Sequence, residues 1–285
     1  MGSTLSDNRL HASTETGVAE QPWPVALFDK SVLKQTKLKE ITQALGATDQ
    51  LTCLDIGSDN GVISYFLRKR GGTWKSADLD EEAIRSIREL VTGDVYRIDG
   101  RRTPFRDNEF DRVVIVDFLE HIESDREFIN EMLRVIKPGG ALIINVPHIK
   151  NSLLRRFRIA IGQTDEKHGH VRPGYTSTEL AGLLGDRFTV VSARTYSKVF
   201  SEAIDTLITF VFGLLKGKGS SSQKGLLVTG RDLSRYQRIF RAYSLIYPLL
   251  WFFGKLDLLL FWCTGYMLIV RAVVNKPRPL PDDNS

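Results

Sequence analysis

The sequence has few cysteines, and none of its apolar runs is long enough to cross a membrane. Its 285 residues include two cysteines, Cys53 and Cys263, which excludes a disulfide framework and a cysteine-rich zinc module. The first 21 residues lack an apolar core segment, so they do not resemble a signal peptide. We therefore expect a disordered tail over residues 1–22 and a core that folds in a reducing compartment.

The sequence also lacks a strong excess of charge. Lys and Arg number 39 against 34 Asp and Glu, which leaves a formal net charge of +5. That excess is too small to indicate nucleic-acid binding by itself. The chain is 42% hydrophobic and 26% charged, which excludes a wholly disordered or collagen-like protein and allows one sizeable core.

Short apolar segments alternate with amphipathic ones through the first half of the chain. An amphipathic helix over 30–45 ends at Gly46, and strand–helix pairs follow it. Capping-box patterns at Ser124 with Glu127, and at Thr176 with Glu179, predict two further helix starts. This alternation predicts an α/β fold with a doubly wound, mostly parallel Rossmann-like sheet. The predicted strands of this region are 52–56, 73–79, 95–98, 112–116 and 141–146.

Acidic residues and glycines follow four of these predicted strands. In an open α/β sheet, ligands bind at the carboxyl ends of the strands, so the four motifs together indicate a nucleotide site. A glycine-rich turn lets the backbone approach a ligand, and a carboxylate can accept hydrogen bonds from ribose hydroxyls. Each motif alone could be an ordinary turn. The four are LDIGSDNG at 54–61, Asp78-Leu79, Asp99-Gly100 and Asp117-Phe118.

A dinucleotide-dependent oxidoreductase is the natural alternative for such a fold. Its Gly-x-Gly-x-x-Gly pattern is absent, because Asp59 and Val62 occupy the second and third glycine positions. The Asp59 carboxylate would also repel a pyrophosphate, whereas a cofactor that carries a positive sulfonium tolerates an acidic loop.

Residues 51–147 resemble the core of class I S-adenosylmethionine-dependent methyltransferases, in the subgroup of ubiquinone and sterol methyltransferases. Besides the strand-end motifs, PFRDNEFD, the LEH triplet at 119–121 and the KPGG turn at 137–140 carry the resemblance. It implies S-adenosyl-L-methionine as cofactor and a seven-stranded sheet. One departure is Asp59, where the family usually has Gly; it suggests a wider loop or weaker cofactor binding.

The resemblance also implies a set of cofactor-binding residues. Those of the first loop would surround the methionine portion, Asp78 would hold the ribose, Asp99 and Gly100 would line the adenine, and Asp117 with Phe118 would close the pocket. The full predicted set is Asp55, Gly57, Ser58, Gly61, Asp78, Leu79, Asp99, Gly100, Asp117 and Phe118.

Two histidines are the candidate catalytic residues. Methyl transfer from a sulfonium needs a base only where the acceptor is a hydroxyl or a protonated amine. His121 follows the fourth strand, and His170 lies in a polar loop that we expect over the cleft. A structural histidine and a solvated loop are the alternative interpretations. No metal ligand is predicted, because His168 and His170, with no nearby Cys and no clear carboxylate partner, would make a weak metal site.

The last third of the chain is unusually apolar. In the resembled fold the sheet ends with a strand, here 188–193, and a final antiparallel strand, here within 263–275. A methyltransferase core over 23–199 would then be followed by an apolar and basic helical insertion at 200–262. A second disordered tail is expected over 276–285.

The insertion predicts attachment to an anionic membrane surface. Its apolar segments are rich in Trp, Phe and Tyr but shorter than the ~20 residues of a membrane span. A helical pair that packs on the core or forms a dimer interface is the alternative, and a transmembrane hairpin is disfavoured by Pro248, Lys255 and Asp257. The basic residues that anionic headgroups would attract are Lys216, Lys218, Lys224, Arg231, Arg235, Arg238 and Arg241.

These features together predict an S-adenosylmethionine-dependent methyltransferase at a membrane. The expected acceptor is a small or lipid-linked molecule such as a quinone, a lipid or a lipid-carried glycan, and no nucleic-acid partner is expected. The expected location is cytoplasmic, peripheral on the inner face of a membrane. The alternatives are a non-catalytic nucleotide-binding-fold partner at the membrane and, ranked lower, an NAD-dependent oxidoreductase.

Overall fold

Apolar strands buried on both faces form the centre of the molecule. A computed structural model describes residues 22–150, 152–160, 169–216 and 233–276, so the predicted tails lie outside it except for residues 22 and 276. The strands are β1 (Thr52–Ile56), β2 (Thr73–Asp78), β3 (Val95–Arg97), β4 (Phe110–Val116), β5 (Ile136–Pro147), β6 (Phe188–Tyr196) and β7 (Met267–Val274).

The seven strands form one sheet in the order β3-β2-β1-β4-β5-β7-β6. β1 to β5 are parallel, and β7 runs antiparallel to both β5 and β6. The predicted fold class is therefore confirmed. Chain connections reverse direction between β1 and β4, which is the position where open α/β sheets bind ligands.

Helices cover both faces of the sheet, and separate apolar clusters fill the space on each face. α4 shows the underlying pattern, because Ala83, Ile84 and Ile87 share one buried side. The helices are α1 (Trp23–Phe28), α2 (Val32–Leu45), α3 (Val62–Arg68), α4 (Glu81–Leu90), α5 (Asp125–Val135), α6 (Leu153–Ala160), α7 (Ser177–Leu184), α8 (Val199–Lys216) and α9 (Leu233–Leu256).

Most of the predicted helix ends are present. Gly46 ends α2 with a φ of 78°, and the Thr176–Glu179 capping box opens α7. The predicted box at Ser124 is wrong: Ser124 makes no capping hydrogen bond, because its ψ of 47° lies outside the extended region that an N-cap adopts. The short helices α1 and α6 were not predicted.

Helices α8 and α9 form the insertion between β6 and β7. β6 ends and β7 begins at the carboxyl edge of the parallel strands, so the insertion leaves and re-enters the sheet at that edge. The Asp257 carboxylate, just after α9, accepts hydrogen bonds from the backbone N–H groups of Lys198 at 2.7 Å and Phe200 at 2.9 Å. This buried carboxylate thus holds the start of α8 to the end of α9. Within the described ranges, no helix has the length and apolarity to span a bilayer.

Gly265 controls how the chain re-enters the sheet before β7. A Cβ at this position would overlap the backbone of Tyr196 at the end of β6. We expect Gly265→Ala to lower the free energy of unfolding by about 1–3 kcal/mol, as overpacking does. The matched control is Gly182→Ala in α7, where a Cβ would meet nothing within 4 Å. It should raise stability by up to about 1 kcal/mol through helix propensity. Urea unfolding measures both, and equal midpoints for the two variants would refute this packing argument.

Candidate active site

Two glycines shape the loop that joins β1 to α3. Gly57 has a φ of 83°, and a Cβ there would overlap the Val116 carbonyl oxygen and lie 2.9 Å from the Phe118 Cβ. Gly61 has a φ of 76° as the N-cap of α3, and its Cβ would lie 2.7 Å from the Ile87 Cα. Both positions therefore require glycine because the loop crosses the end of β4 and α3 packs closely on α4.

Asp59, the departure from the resembled family, has a φ of 51°. This is the left-handed region, which glycine adopts freely and aspartate tolerates better than most residues. The loop thus keeps a glycine-like backbone conformation at a position that carries a carboxylate.

Asp55 lies beneath this loop rather than in an open site. Its side chain is 0% exposed and accepts hydrogen bonds from the hydroxyls of Ser58 at 2.7 Å and Ser76 at 2.8 Å, and from the Ser64 hydroxyl. Arg68 completes the set at 3.2 Å. The place of Asp55 and Ser58 around the cofactor stays a prediction. Their side chains bond to each other and hold the loop in place.

Asp78 ends β2, next to Gly57 in the sheet, since the Gly57 N–H donates to the Ala77 carbonyl at 3.0 Å. The Asp78 carboxylate accepts from the backbone N–H of Leu79 at 2.7 Å and of Asp80 at 3.2 Å. Asp80 caps α4 through the Glu82 N–H at 3.1 Å. The backbone thus fixes the orientation of Asp78 at the predicted position of a ribose.

Asp99 and Gly100 follow β3 in a tight turn. The exposed Asp99 carboxylate accepts hydrogen bonds from the backbone N–H of Arg101 at 2.8 Å and Arg102 at 2.9 Å. These backbone bonds lower the pKa of Asp99 below its usual value. Gly100 has a φ of 77°, and a Cβ there would lie 2.7 Å from the Ile122 Cγ2. The turn therefore brings backbone close to the predicted adenine region.

Asp117 and Phe118 follow β4 but point in different directions. Phe118 is 1% exposed and packs against Phe128, with ring centroids 4.9 Å apart. The ring of Phe118 therefore belongs to the core, and its part in closing the pocket stays a prediction. Asp117 has a φ of 45° and accepts from the Asn145 amide at 2.9 Å. It also pairs with Lys37 of α2.

Lys37 is a site residue that the sequence did not indicate. Burial alone would lower the pKa of Lys37, but the charge and hydrogen bond of Asp117 outweigh burial and raise it. Lys37 and Asp117 lie 80 residues apart in the chain, and no motif relates them. The ion pair therefore holds α2 against the end of β4.

The two predicted catalytic histidines lie together. The rings of His121 and His170 are edge-on, with centroids 4.8 Å apart, and the His121 Nδ1 lies 2.9 Å from the Gly169 carbonyl oxygen. Since a carbonyl only accepts, the proton of neutral His121 belongs on Nδ1. Glu120 is 0% exposed, and one ligand atom from each of Glu120, His121 and His170 falls within 4.8 Å of the others. No metal ligand is predicted from the sequence, whereas the fold places the Glu120 carboxylate near both histidines.

The site's sequence matches a known domain family. Residues 54–144 match the family described as a methyltransferase domain, and this segment contains the second half of β1, all of β2 to β4 and most of β5. A demethylmenaquinone methyltransferase from Clavibacter sepedonicus is 31% identical over 107 residues, which cover 36% of this chain and 44% of that protein. A ubiquinone/menaquinone biosynthesis C-methyltransferase from Ruegeria is 31% identical over 32% of this chain and 40% of the relative. The chain spans less than half the length of these relatives.

Solved structures agree with the fold over a longer part of the chain. A candidate methyltransferase from Bacillus halodurans superposes with a TM-score of 0.53 at 14% identity, over 85% of this chain and 100% of its own. The cyclase SpnF gives a TM-score of 0.53 at 15% identity, over 86% of this chain and 82% of its own. At such identities the likeness defines the fold alone.

The domain match and the fold together identify a class I methyltransferase domain at residues 54–144. The predicted enzyme class and its S-adenosylmethionine cofactor are confirmed at the level of this domain. The individual site residues remain predictions.

The Asp55 network should dominate the stability of the loop. Asp55→Ala leaves the Arg68 guanidinium without its buried partner, and such losses cost about 3–5 kcal/mol. Urea unfolding should show this decrease, whereas Asp186→Ala, at an exposed aspartate before β6, should change the free energy of unfolding by less than about 0.5 kcal/mol. Similar unfolding of the two variants would contradict the assigned role.

Proposed function

We propose that the whole protein transfers a methyl group from S-adenosylmethionine to a small or lipid-linked acceptor at a membrane surface. The observation that carries the proposal is the position of Gly57, Asp78, Gly100 and Asp117 at the carboxyl ends of neighbouring strands, within the segment that matches a methyltransferase domain. Parallel strands bring these ends to the edge where such folds bind ligands.

Each strand end has a proposed part in cofactor binding. The loop from Gly57 to Gly61 lies along the methionine portion, Asp78 accepts hydrogen bonds from the ribose hydroxyls, and Leu79, Asp99 and Gly100 line the adenine. Asp117, held by Lys37 and Asn145, lies at the acceptor side. The protein then orients the acceptor for in-line attack, in which the S–CH3 bond breaks as the new bond to the methyl carbon forms.

His121 and His170 lie next to this edge and are the proposed polar groups for the acceptor. Leu119–His121 is a short 3-10 turn that follows Asp117 and Phe118 directly. A hydroxyl acceptor loses its proton on transfer, and an imidazole is suited to accept it near neutral pH.

The apolar surface beside the site supports the proposed class of acceptor. Large apolar side chains protrude from α9 and the turn after it, with exposures of 83% at Leu245, 75% at Leu258, 81% at Phe261 and 68% at Trp262; we call these four residues the apolar surface. α9 also packs closely on α2, since a Cβ added at Gly254 of α9 would lie only 2.8 Å from the Val32 side chain of α2. Lys37 of α2 pairs with Asp117 at the end of β4. The helix α2 therefore contacts both α9, which bears part of the apolar surface, and the strand ends.

A quinone or another lipid-linked acceptor is the class that such a surface would serve. Aromatic and aliphatic side chains of this kind enter the headgroup region of a bilayer without crossing it. The names of two relatives refer to quinone biosynthesis, which supports the same class. The basic cluster predicted to help lies outside the residues whose side chains the structure describes, and the inner face of a membrane remains the predicted location.

Cofactor binding tests the first part of the proposal. Calorimetric titration with S-adenosylhomocysteine should give one site, and Asp78→Ala should weaken it at least tenfold, because two hydrogen bonds to a carboxylate are lost. Asp186→Ala is the matched control and should bind as the unaltered protein does. If neither protein bound the nucleoside, the non-catalytic partner protein would be the better interpretation.

Vesicle flotation tests the membrane part. The double variant Phe261→Ser and Trp262→Ser removes two exposed rings, each of which would gain about 1.5–3 kcal/mol on burial. Its partition onto vesicles with anionic headgroups should fall by about 100-fold. Val191→Ser, which alters an apolar residue exposed at 58% on β6, should float like the unaltered protein. Equal flotation of the double variant would contradict membrane binding through the apolar surface.

A further inference from the structure

We propose that Glu120, His121 and His170 bind one divalent transition-metal ion beside the cofactor site. The three residues come from two segments, the turn after β4 and the loop before α7. Their role in metal binding is independent of methyl transfer, whereas the role of the ion suggested below rests on the proposed function.

The two segments are fastened to each other around the cluster. The Val171 N–H donates to the Glu120 carbonyl at 2.9 Å, so the backbone next to His170 is bonded to the backbone of Glu120. Arg172 pairs with Asp125 and donates to the Ile122 carbonyl at 3.2 Å. These backbone and charged contacts hold the two segments together alongside the contact of the His121 Nδ1 with the Gly169 carbonyl.

The spacing of the ligand atoms suits a single ion. One atom from each residue lies within 4.8 Å of the other two. Two ligands at about 2.1 Å from one ion lie about 3.4 Å apart in a tetrahedral site, so the widest pair must close by about 1.4 Å. Side-chain rotation of the partly buried His170 can supply this movement.

The chemistry of the three groups also fits. The Gly169 carbonyl holds the proton of His121 on Nδ1, which leaves the Nε2 lone pair for a metal, and such a backbone partner is typical of histidine ligands. Glu120 supplies a fully buried carboxylate, and a buried carboxylate gains most from pairing with a cation. Two imidazoles and one carboxylate favour Zn²⁺ or Fe²⁺ over Mg²⁺ or Ca²⁺.

Three protein ligands leave coordination positions open for a substrate. An acceptor hydroxyl bound to the ion would have a lower pKa and would release its proton to water. Its oxygen would then attack the methyl carbon, the S–CH3 bond would break, and S-adenosylhomocysteine would leave. In this form of the proposed function, the histidines act through the ion and do not take the proton themselves.

Titration of the metal-free full chain with Co²⁺ tests the site, because coordinated Co²⁺ absorbs visible light. We expect one ion per chain, displaced by Zn²⁺, and affinity lowered at least about 10–100-fold by His170→Ala. The matched control is His148→Ala, since His148 likewise has its Nδ1 3.0 Å from a backbone carbonyl, that of Gly265, and lies outside the cluster. His148→Ala should bind Co²⁺ like the unaltered chain.

Absence of bound Co²⁺, or equal binding by His170→Ala, would overturn the metal site. Glu120→Gln provides a second variant, and thermal unfolding checks that each variant is folded before its titration is compared. Removal of the ion with a chelator, followed by a methyl-transfer assay, distinguishes binding of the metal from a role of the metal in methyl transfer. Bound metal with unchanged transfer after its removal would overturn the activation of the acceptor, while nucleoside binding would still report on the proposed function.

Discussion

The buried carboxylate of Asp55 is the interaction on which the site depends. From β1, it accepts hydrogen bonds from three serine hydroxyls and one guanidinium of β2, α3 and the loop between β1 and α3. Gly57 can then cross the end of β4 so closely that no side chain fits at that position. Charge-assisted bonds in a buried setting are strong, so the loop is held in shape before any ligand arrives.

The same edge of the sheet also determines where the apolar insertion lies. Because β7 is antiparallel, the chain must leave β6 and return to β7 at the carboxyl edge of the parallel strands. Asp257 and the contact between Gly254 and Val32 then fix α8 and α9 near α2. The predicted cofactor site and the exposed apolar surface therefore lie at one end of the molecule, which is the arrangement that the proposed acceptor requires.

Local pattern explains what the sequence predicted correctly. Continuous apolar runs predicted the strands, and short-range chemistry predicted the Thr176–Glu179 box. The direction of a side chain was harder to predict, because a residue just after a strand can point into the core, as Phe118 does, or toward the open edge, as Asp117 does. Contacts between distant segments could not be predicted from the sequence. Lys37 and Asp117, like Glu120 and His170, are brought together only by tertiary packing.

A crystal structure with bound S-adenosylhomocysteine tests the central claim most directly. The account predicts that the nucleoside lies across the ends of β1, β2 and β4, with both ribose hydroxyls on the Asp78 carboxylate and the amino-acid portion along the loop at Gly57. A nucleoside bound elsewhere, or an Asp78 carboxylate that makes no contact with the sugar, would contradict it.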